Sequence, residues 1–408
     1  MRFYLRLVFC FTLVAAIVSC KKPYDPPAIA SSNSYLVVEG AINSGSDSTI
    51  IKLSITVNVS SSNIINPVTG AAVAVESDQN IVFPLTEAAN GRYVSAGLNL
   101  GASHTYRLSI KTSNEKYYSD YVPVLSSPPI DSVYFKILNN GVAIYSATHD
   151  PTNTIKYYRW DYQETWIVHP EVESGFISNG DTVLTRTQSQ DVYTCWRTDT
   201  SSNIILGSSA KLATDLIVDN PVTAMNDSSP KIANEYSIQL RQYALTADAY
   251  TFWTNLKKNT EQLGSIFDAQ PSEITGNIHS ATHPSEPVIG YVSVGGVATK
   301  RIFITEQQLP AFSKPFPNEG YPSGCVLLNA CCLYNFIPQG NTGAGGAPIN
   351  QVNEYINYNK GATVVFIPIA PIQVPGGPVL GYTAGSPICS DCTLQKGATN
   401  KEPAYWKF

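Results

Sequence analysis

A chain of 408 residues is long enough for two to three domains. Its formal net charge of −5, with no basic run beyond two residues, excludes the positive face that nucleic-acid binding needs. Charged residues make up only 14%, and 24 Tyr outnumber 14 Phe while Met falls to 2, a profile of an exported protein rich in strand formers.

Arg2 and Arg6 precede an apolar run, Leu7 to Val18. That run is shorter than the ~20 residues a membrane span requires, and reads as a signal peptide over residues 1–19. Ile17-Val18-Ser19-Cys20 resembles the lipobox of bacterial lipoproteins. The resemblance implies cleavage before Cys20 and acylation of its thiol, so that outer-membrane lipid holds the chain, two or more acyl chains giving stable attachment. Lys21, where an Asp would imply inner-membrane retention, points to the outer membrane. The stretch "CKKPYDPP" carries only Asp25 as an acid, so the cell-surface and periplasmic faces both stay open. Residues 20–33 are a Pro-rich tether.

Strand signals begin at Tyr35. In "TIIKLSITVNV", Ile51, Leu53, Ile55, Val57 and Val59 alternate with polar residues, the period of a half-buried strand. "HTYRLSI" repeats the pattern with Tyr106, Leu108 and Ile110 inward. The run "PVTGAAVAVES", "NGRYVS", "GASHTYRLSI" and "EKYYSDY" resembles the small sandwich related to the carboxypeptidase regulatory domain, implying a non-catalytic N-terminal β-sandwich over 34–125. "LSSPPIDS" is a linker. "SVYFKIL", "VAIYSAT", "KYYRWDYQETW" and "YSIQLRQYAL" predict a second, Ig-like or fibronectin-like sandwich over 126–310. Within it lie a long polar insertion, 170–232, and a helix at about 246–264. Thr246 suits the N-cap, Gly264 the C-terminal cap, Lys257 with Glu261 an i,i+4 pair, and Tyr250, Trp253 and Leu256 one face. The fold class is mainly β: tandem sandwiches, one inserted amphipathic helix, and a Gly/Pro- and Cys-rich C-terminal region, 311–408.

With Cys10 removed and Cys20 acylated, six cysteines are left: Cys195, Cys325, Cys331, Cys332, Cys389 and Cys392. Their even number in an envelope protein predicts disulfides that staple a tail without a core of its own. Fifteen connectivities are open. The rival is a zinc site built on Cys389-x-x-Cys392 and two upstream thiols. His279 and His283 have a ligand spacing only on a helix, and Pro284 with "TGNIHSATHPSEP" reads as loop, so no metal is expected.

No zincin, nucleophile-elbow or Walker motif is present, and no cofactor is expected. Asp161 and Glu164, flanked by Trp160 and Trp166, are the one pair that could be drawn as glycosidase carboxylates. Strand alternation instead puts Tyr158, Trp160 and Tyr162 on a core face and Arg159, Asp161 and Gln163 on a solvated one. Asp47-Ser48-Thr49, Asp131-Ser132-Val133 and Asp181-Thr182-Val183 resemble short O-glycosylation sites of Bacteroidota, which would modify Ser48, Ser132 and Thr182.

"PPIDSVYFK", "YYRWDYQETW", "CWRT", "YSIQLRQYALTADAYTFWTNLKKNTEQLGSIFDAQPSEITGNI", "EPVIGYVSV" and the closing "CSDCTLQKGATNKEPAYW" resemble the Bacteroidota lipoprotein family grouped as domain of unknown function 4249. The resemblance supplies no catalytic residues. It implies an outer-membrane lipoprotein commonly encoded beside a TonB-dependent transporter, and hence a non-catalytic accessory of that barrel. A structural or adhesive envelope lipoprotein is the alternative, and a carbohydrate-active enzyme the third.

Overall fold

The computed structural model describes residues 35–57, 65–178, 183–261, 274–310, 334–335, 367–373, 375–376 and 379–406. The signal segment, Cys20, the tether, Thr182, Gly264, Cys325, Cys331 and Cys332 lie outside the described residues.

The protein is mainly β, and period-2 alternation builds its first sandwich. In the strand Thr49–Ile55, Ile51 and Leu53 are buried and Lys52 is exposed, because successive side chains of a pleated strand leave opposite faces. Tyr106, Leu108 and Ile110 are buried along Thr105–Lys111 as their spacing predicts. An 11-stranded sheet curls round one core. Its strands run in the order 278–280, 116–119, 105–111, 72–77, 82–89, 92–95, 49–55, 36–43 and 294–295, with two short edge pairings. The core holds Ile42, Ile51, Val75, Tyr93, Leu108 and Ile110, each worth about 1.5–3 kcal/mol when such a side chain leaves water.

Residues 278–295, grouped by sequence with the second sandwich, pair with this first one. Ile278–Ser280 lies antiparallel to Lys116–Ser119, and Val294–Gly295 runs parallel to the end of Leu36–Asn43. Val288, Val292 and Val294 belong to the first core. The chain therefore crosses between the sandwiches three times. The first and last crossings lie side by side, with the Leu125 amide donating to the Val294 carbonyl (2.9 Å) and that of Ser127 to Gly296 (3.1 Å). A Cβ on Gly295 would collide with the Leu125 carbonyl, so the approach requires glycine.

The second sandwich sets a three-stranded sheet (Ile130–Leu138, Gly141–His149, Leu216–Asn226) against a six-stranded one. The larger sheet runs Ala298–Ile304, Tyr236–Leu245, Tyr157–Val168, Cys195–Thr200, Ala398–Thr399, with Ile205–Ser208 also on Tyr157–Val168. Tyr158 and Trp160 are fully buried between the sheets with Val142, Ile144, Ile238 and Leu240. At its edge the buried Gln242 satisfies four neighbours at once. It accepts from Trp160 Nε1 (2.9 Å), and its two N–H groups reach three acceptors, Ser127 Oγ, the Pro128 carbonyl and Thr148 Oγ1 (2.9–3.1 Å), one N–H being shared.

The expected polar insertion 170–232 supplies three strands of the sandwich. Cys195–Thr200 and Ile205–Ser208 pair with Tyr157–Val168, and Leu216–Asn226 pairs with Gly141–His149. Bulges and Pro221 break the last strand's alternation, with Asp219 at φ +56°, while "CWRTDT" shows water only hydroxyls and charge. Neither leaves a clean period in the sequence.

The helix spans Ala247–Glu261. Thr246 Oγ1 accepts from the Ala249 amide (3.1 Å), the N-cap bond expected of it, and Lys257 meets Glu261 at 3.8 Å. Its buried residues are Ala249 and Phe252, with Tyr250, Trp253 and Leu256 only half-buried. The packed stripe is thus turned from the expected one, toward Tyr291 on the return crossing, whose ring lies 5.5 Å from that of Phe252.

Candidate functional site

The two carboxylates that could have formed a hydrolytic pair are separated by strand geometry. Asp161 and Glu164 are three apart on Tyr157–Val168, hence on opposite faces. Glu164 is 3% exposed and is held by Lys231 Nζ (2.5 Å) and the Tyr236 hydroxyl (2.8 Å). Burial and the Glu164 charge push the Tyr236 phenol far above its ordinary value. Asp161 bonds Arg241 Nε and lies 3.6 Å from Arg159. Neither carboxylate faces the other across a cleft.

His279 and His283 do not converge. His279 lies 3.4 Å from Asp120, whereas His283 Nδ1 lies 3.0 Å from Glu115. Glu115, His283 and Glu286 bring one ligand atom each within 4.8 Å of one another. Thr282 and the Lys116 amide already donate to Glu115, and the Tyr117 hydroxyl donates to Glu286 (3.1 Å). Those hydroxyl and amide donors hold the Glu115 carboxyl down at about 2. The cluster clamps the loop after Ile278–Ser280 onto the neighbouring strand.

The structure brings together a different set on the outward face of the six-stranded sheet, opposite the face that carries Tyr158 and Trp160. Unbroken register places Arg159 beside Tyr243, Asp161 beside Arg241 and Thr299, Gln163 beside Gln239, Arg301 and Thr200, and Thr165 beside Ser237 and Thr198. One end is walled by the helix. Arg159 is sandwiched between the rings of Tyr243 (4.3 Å) and Trp253 (4.6 Å), and Tyr157 meets Tyr250 at 4.9 Å. The helix is tied down by Lys257 Nζ on the Ile204 carbonyl (2.6 Å) and by Glu261 accepting from the Ile204 amide (2.5 Å). The other end is walled by the C-terminal tail. The Arg301 guanidinium stacks 3.7 Å from the Tyr405 ring centre, Tyr405 reaches Thr165 Oγ1 (2.8 Å), and Trp406 packs edge-on to Phe303 and Trp196.

Between the walls, residues 159 to 165 span about 20 Å of strand, a shallow trough floored by side-chain amides, hydroxyls and guanidinium groups. Its outward strand positions carry three arginines against one carboxylate, Asp161. Burial opposes the Arg241 charge, but the Asp161 and Tyr243 charges and the Asp161 hydrogen bond together raise its guanidinium above the ordinary value, while burial and the Asp161 charge push the Tyr243 phenol up to about 12. Arg301 donates to Ser237 Oγ (3.0 Å) and Gln239 Oε1 (2.6 Å). Among the described residues no carboxylate pairs with it, and burial pulls its guanidinium below the usual value. Sequence reasoning placed Arg159, Asp161 and Gln163 on a solvated face but could not assemble them with Arg241, Arg301 and Tyr405, which lie up to 248 residues away from Tyr157 in the chain.

Of the expected cysteine set, Cys195 and Cys392 form a disulfide with Cα atoms 5.8 Å apart, closing a separation of 197 residues. Cys389 is also disulfide-bonded. A zinc site using the Cys392 thiolate is overturned, since its sulfur is bonded to Cys195. Ser48 is exposed just before the strand Thr49–Ile55, and Ser132 is half-buried at a bulge in Ile130–Leu138. Among the described residues no helix is long and apolar enough to cross a membrane.

No curated protein matches the chain. Among solved structures, the adhesin InvE of Yersinia pseudotuberculosis is similar at 16% identity over 52% of this chain, with a TM-score of 0.14. The match spans about half of that adhesin (55%), and at that score it carries no argument. A family model matches residues 21–301, more than half of the chain. The chain belongs to the family described as a domain of unknown function, DUF4249.

Proposed function

We propose that this chain is a lipid-anchored outer-membrane protein of Bacteroidota with a non-catalytic binding role, an accessory subunit of a TonB-dependent transporter. Cys20 is its anchor and the 20–33 segment its tether. The observation that carries the binding role is the walled polar trough on the second sandwich, a side-chain surface on a rigid sheet rather than on mobile loops. The non-catalytic reading is supported by Asp161 and Glu164, each neutralised by a basic partner on opposite faces of one strand. Docking on a barrel requires roughly 1,200–2,000 Å² of buried surface, which two sandwiches sewn together by paired crossings can present as a preformed face.

The test is affinity capture of the full chain, tagged at its C-terminus, from gently solubilised outer membranes. A stoichiometric TonB-dependent barrel is the expected companion, and Cys20→Ala should abolish both membrane retention and capture. A partnerless chain that keeps its lipid would favour the adhesive or scaffold reading. Hydrolysis across a glycan panel, lost in Glu164→Gln without loss of folding, would favour an enzyme.

A further inference from the structure

The binding role leaves open what the trough holds, and its chemistry narrows the answer. We infer that the trough on the outward face of the six-stranded sheet binds an acidic oligosaccharide, with Arg301 reading a carboxylate or sulfate group on the sugar. The inference rests on the binding role proposed above.

Three features carry it. First, charge is unbalanced: Arg159 and Arg241 share Asp161, while among the described residues the side chains hydrogen-bonded to Arg301 are the neutral Ser237, Gln239 and Tyr405. Ser237 and Gln239 engage Nη1 and Nη2 once each, so the five N–H donors of the guanidinium are not exhausted. A guanidinium pre-oriented by a ring 3.7 Å beneath it loses little freedom on meeting a planar oxyanion. Second, register puts Arg301 opposite Gln239 and Arg241 opposite Thr299, so the two arginines are diagonal neighbours about 7–8 Å apart. Arg241 has a side chain still 42% exposed, so two cations can address one acidic sugar and its neighbour.

Third, the trough is a sheet face whose floor is formed by inner strands, although Ala298–Ile304, which carries Arg301, is the outer strand of the sheet order. The backbone groups of Tyr157–Val168 and Tyr236–Leu245 are engaged by strands on both sides. An extended peptide is commonly read through exposed backbone donors and acceptors at an edge, and these central strands offer none. What faces outward is Gln163, Gln239, Thr198, Thr200 and Thr299, amides and hydroxyls that match the hydroxyls of a sugar. Acidic glycan is therefore favoured over acidic peptide.

The experiment is calorimetric titration of the detergent-solubilised full chain with four probes: trigalacturonate, its neutral methyl ester, a sulfated galacto-oligosaccharide and an oligo-glutamate peptide. At least one acidic sugar should bind at least about tenfold more tightly than the neutral ester, and whichever acidic sugar binds tighter names the oxyanion. Arg301→Gln should weaken that binding by about 10- to 100-fold. Arg301→Lys, which keeps the charge but not the fork, should also weaken it while leaving the melting temperature near wild type. Lys136→Gln, on the other sheet, should change nothing. Equal binding of the neutral ester would overturn the acidic assignment yet leave a binding role standing. Equal binding of oligo-glutamate, or no binding of either acidic sugar, would overturn the inference. Capture of the barrel is read in a separate experiment and stands or falls independently.

Discussion

Asp150 shows how much one buried carboxylate can organise. In "DPTNTI" its two oxygens accept from the amides of Thr152, Thr154 and Ile155 and from the hydroxyls of Thr152 and Thr154, at 2.7–2.9 Å. Burial works against the charge, but these donors outweigh it and hold the Asp150 carboxyl well below the ordinary range. A folded-state value below the unfolded one means stability that is present above the ordinary Asp value near 3.8 and lost as pH falls below it. Urea melts from pH 7 down to pH 2 should therefore show a steep acid limb below about pH 4 in the wild type and a shallower one in Asp150→Asn. The variant's stability at pH 7 should be lower by about 1.5–3 kcal/mol. Glu164 is organised differently, by one cation and one phenol. Glu164→Gln should cost about 1–3 kcal/mol through its weakened bonds to Lys231 and Tyr236, read as a lower denaturation midpoint with an unchanged urea slope. Its neighbours Trp160 and Trp166 suggested a sugar cleft in the sequence, and only the positions of Lys231 and Tyr236 show a structural ion pair.

At the scale of elements, the helix was legible because its signals are local: Thr246 as cap, Asp248 in the first turn, and Lys257 with Glu261 one turn apart. Thr246→Ala should remove the Ala249 amide's acceptor and lower stability by about 1 kcal/mol, measurable as a drop in melting temperature. Because the helix forms one wall of the trough, a larger loss would show that the cap also fixes the Trp253–Arg159–Tyr243 stack. Which helical face packs was not legible, since Tyr250, Trp253 and Leu256 are as apolar as Ala249 and Phe252. The strands within 195–226 escaped for the opposite reason. Their alternation is blurred by a bulge, a proline and exposed Leu216 and Val218, and their partners lie elsewhere in the chain.

Across the whole molecule, long-range closures set the architecture. The Cys195–Cys392 disulfide draws the tail against the strand Cys195–Thr200, where Ala398–Thr399 adds a short pairing and Trp406 joins Trp196 and Ile167. Closing so long a loop restricts the unfolded chain, and its loss should cost about 3–5 kcal/mol. Paired Cys195→Ser and Cys392→Ser substitutions should lower the denaturation midpoint accordingly. They should also loosen Tyr405 from Arg301, seen as weaker protection of the Thr165 hydroxyl's surroundings in hydrogen exchange.

From the sequence alone came the mainly β fold class, the family, the inward positions of Leu53, Leu108, Tyr158 and Trp160, and the helix with its cap. The family rests on segments matched along most of the chain, whereas the rest are patterns within about twenty residues, where strand pleat and helical pitch impose a period. The tertiary structure alone decided the return of residues 278–295 to the first sandwich and the partner of Cys195. It also decided the assembly of Arg159, Arg241, Arg301 and Tyr405 around one trough. Those depend on which strand lies beside which, a choice made by burial of two separate cores and by chain crossings that no local period encodes.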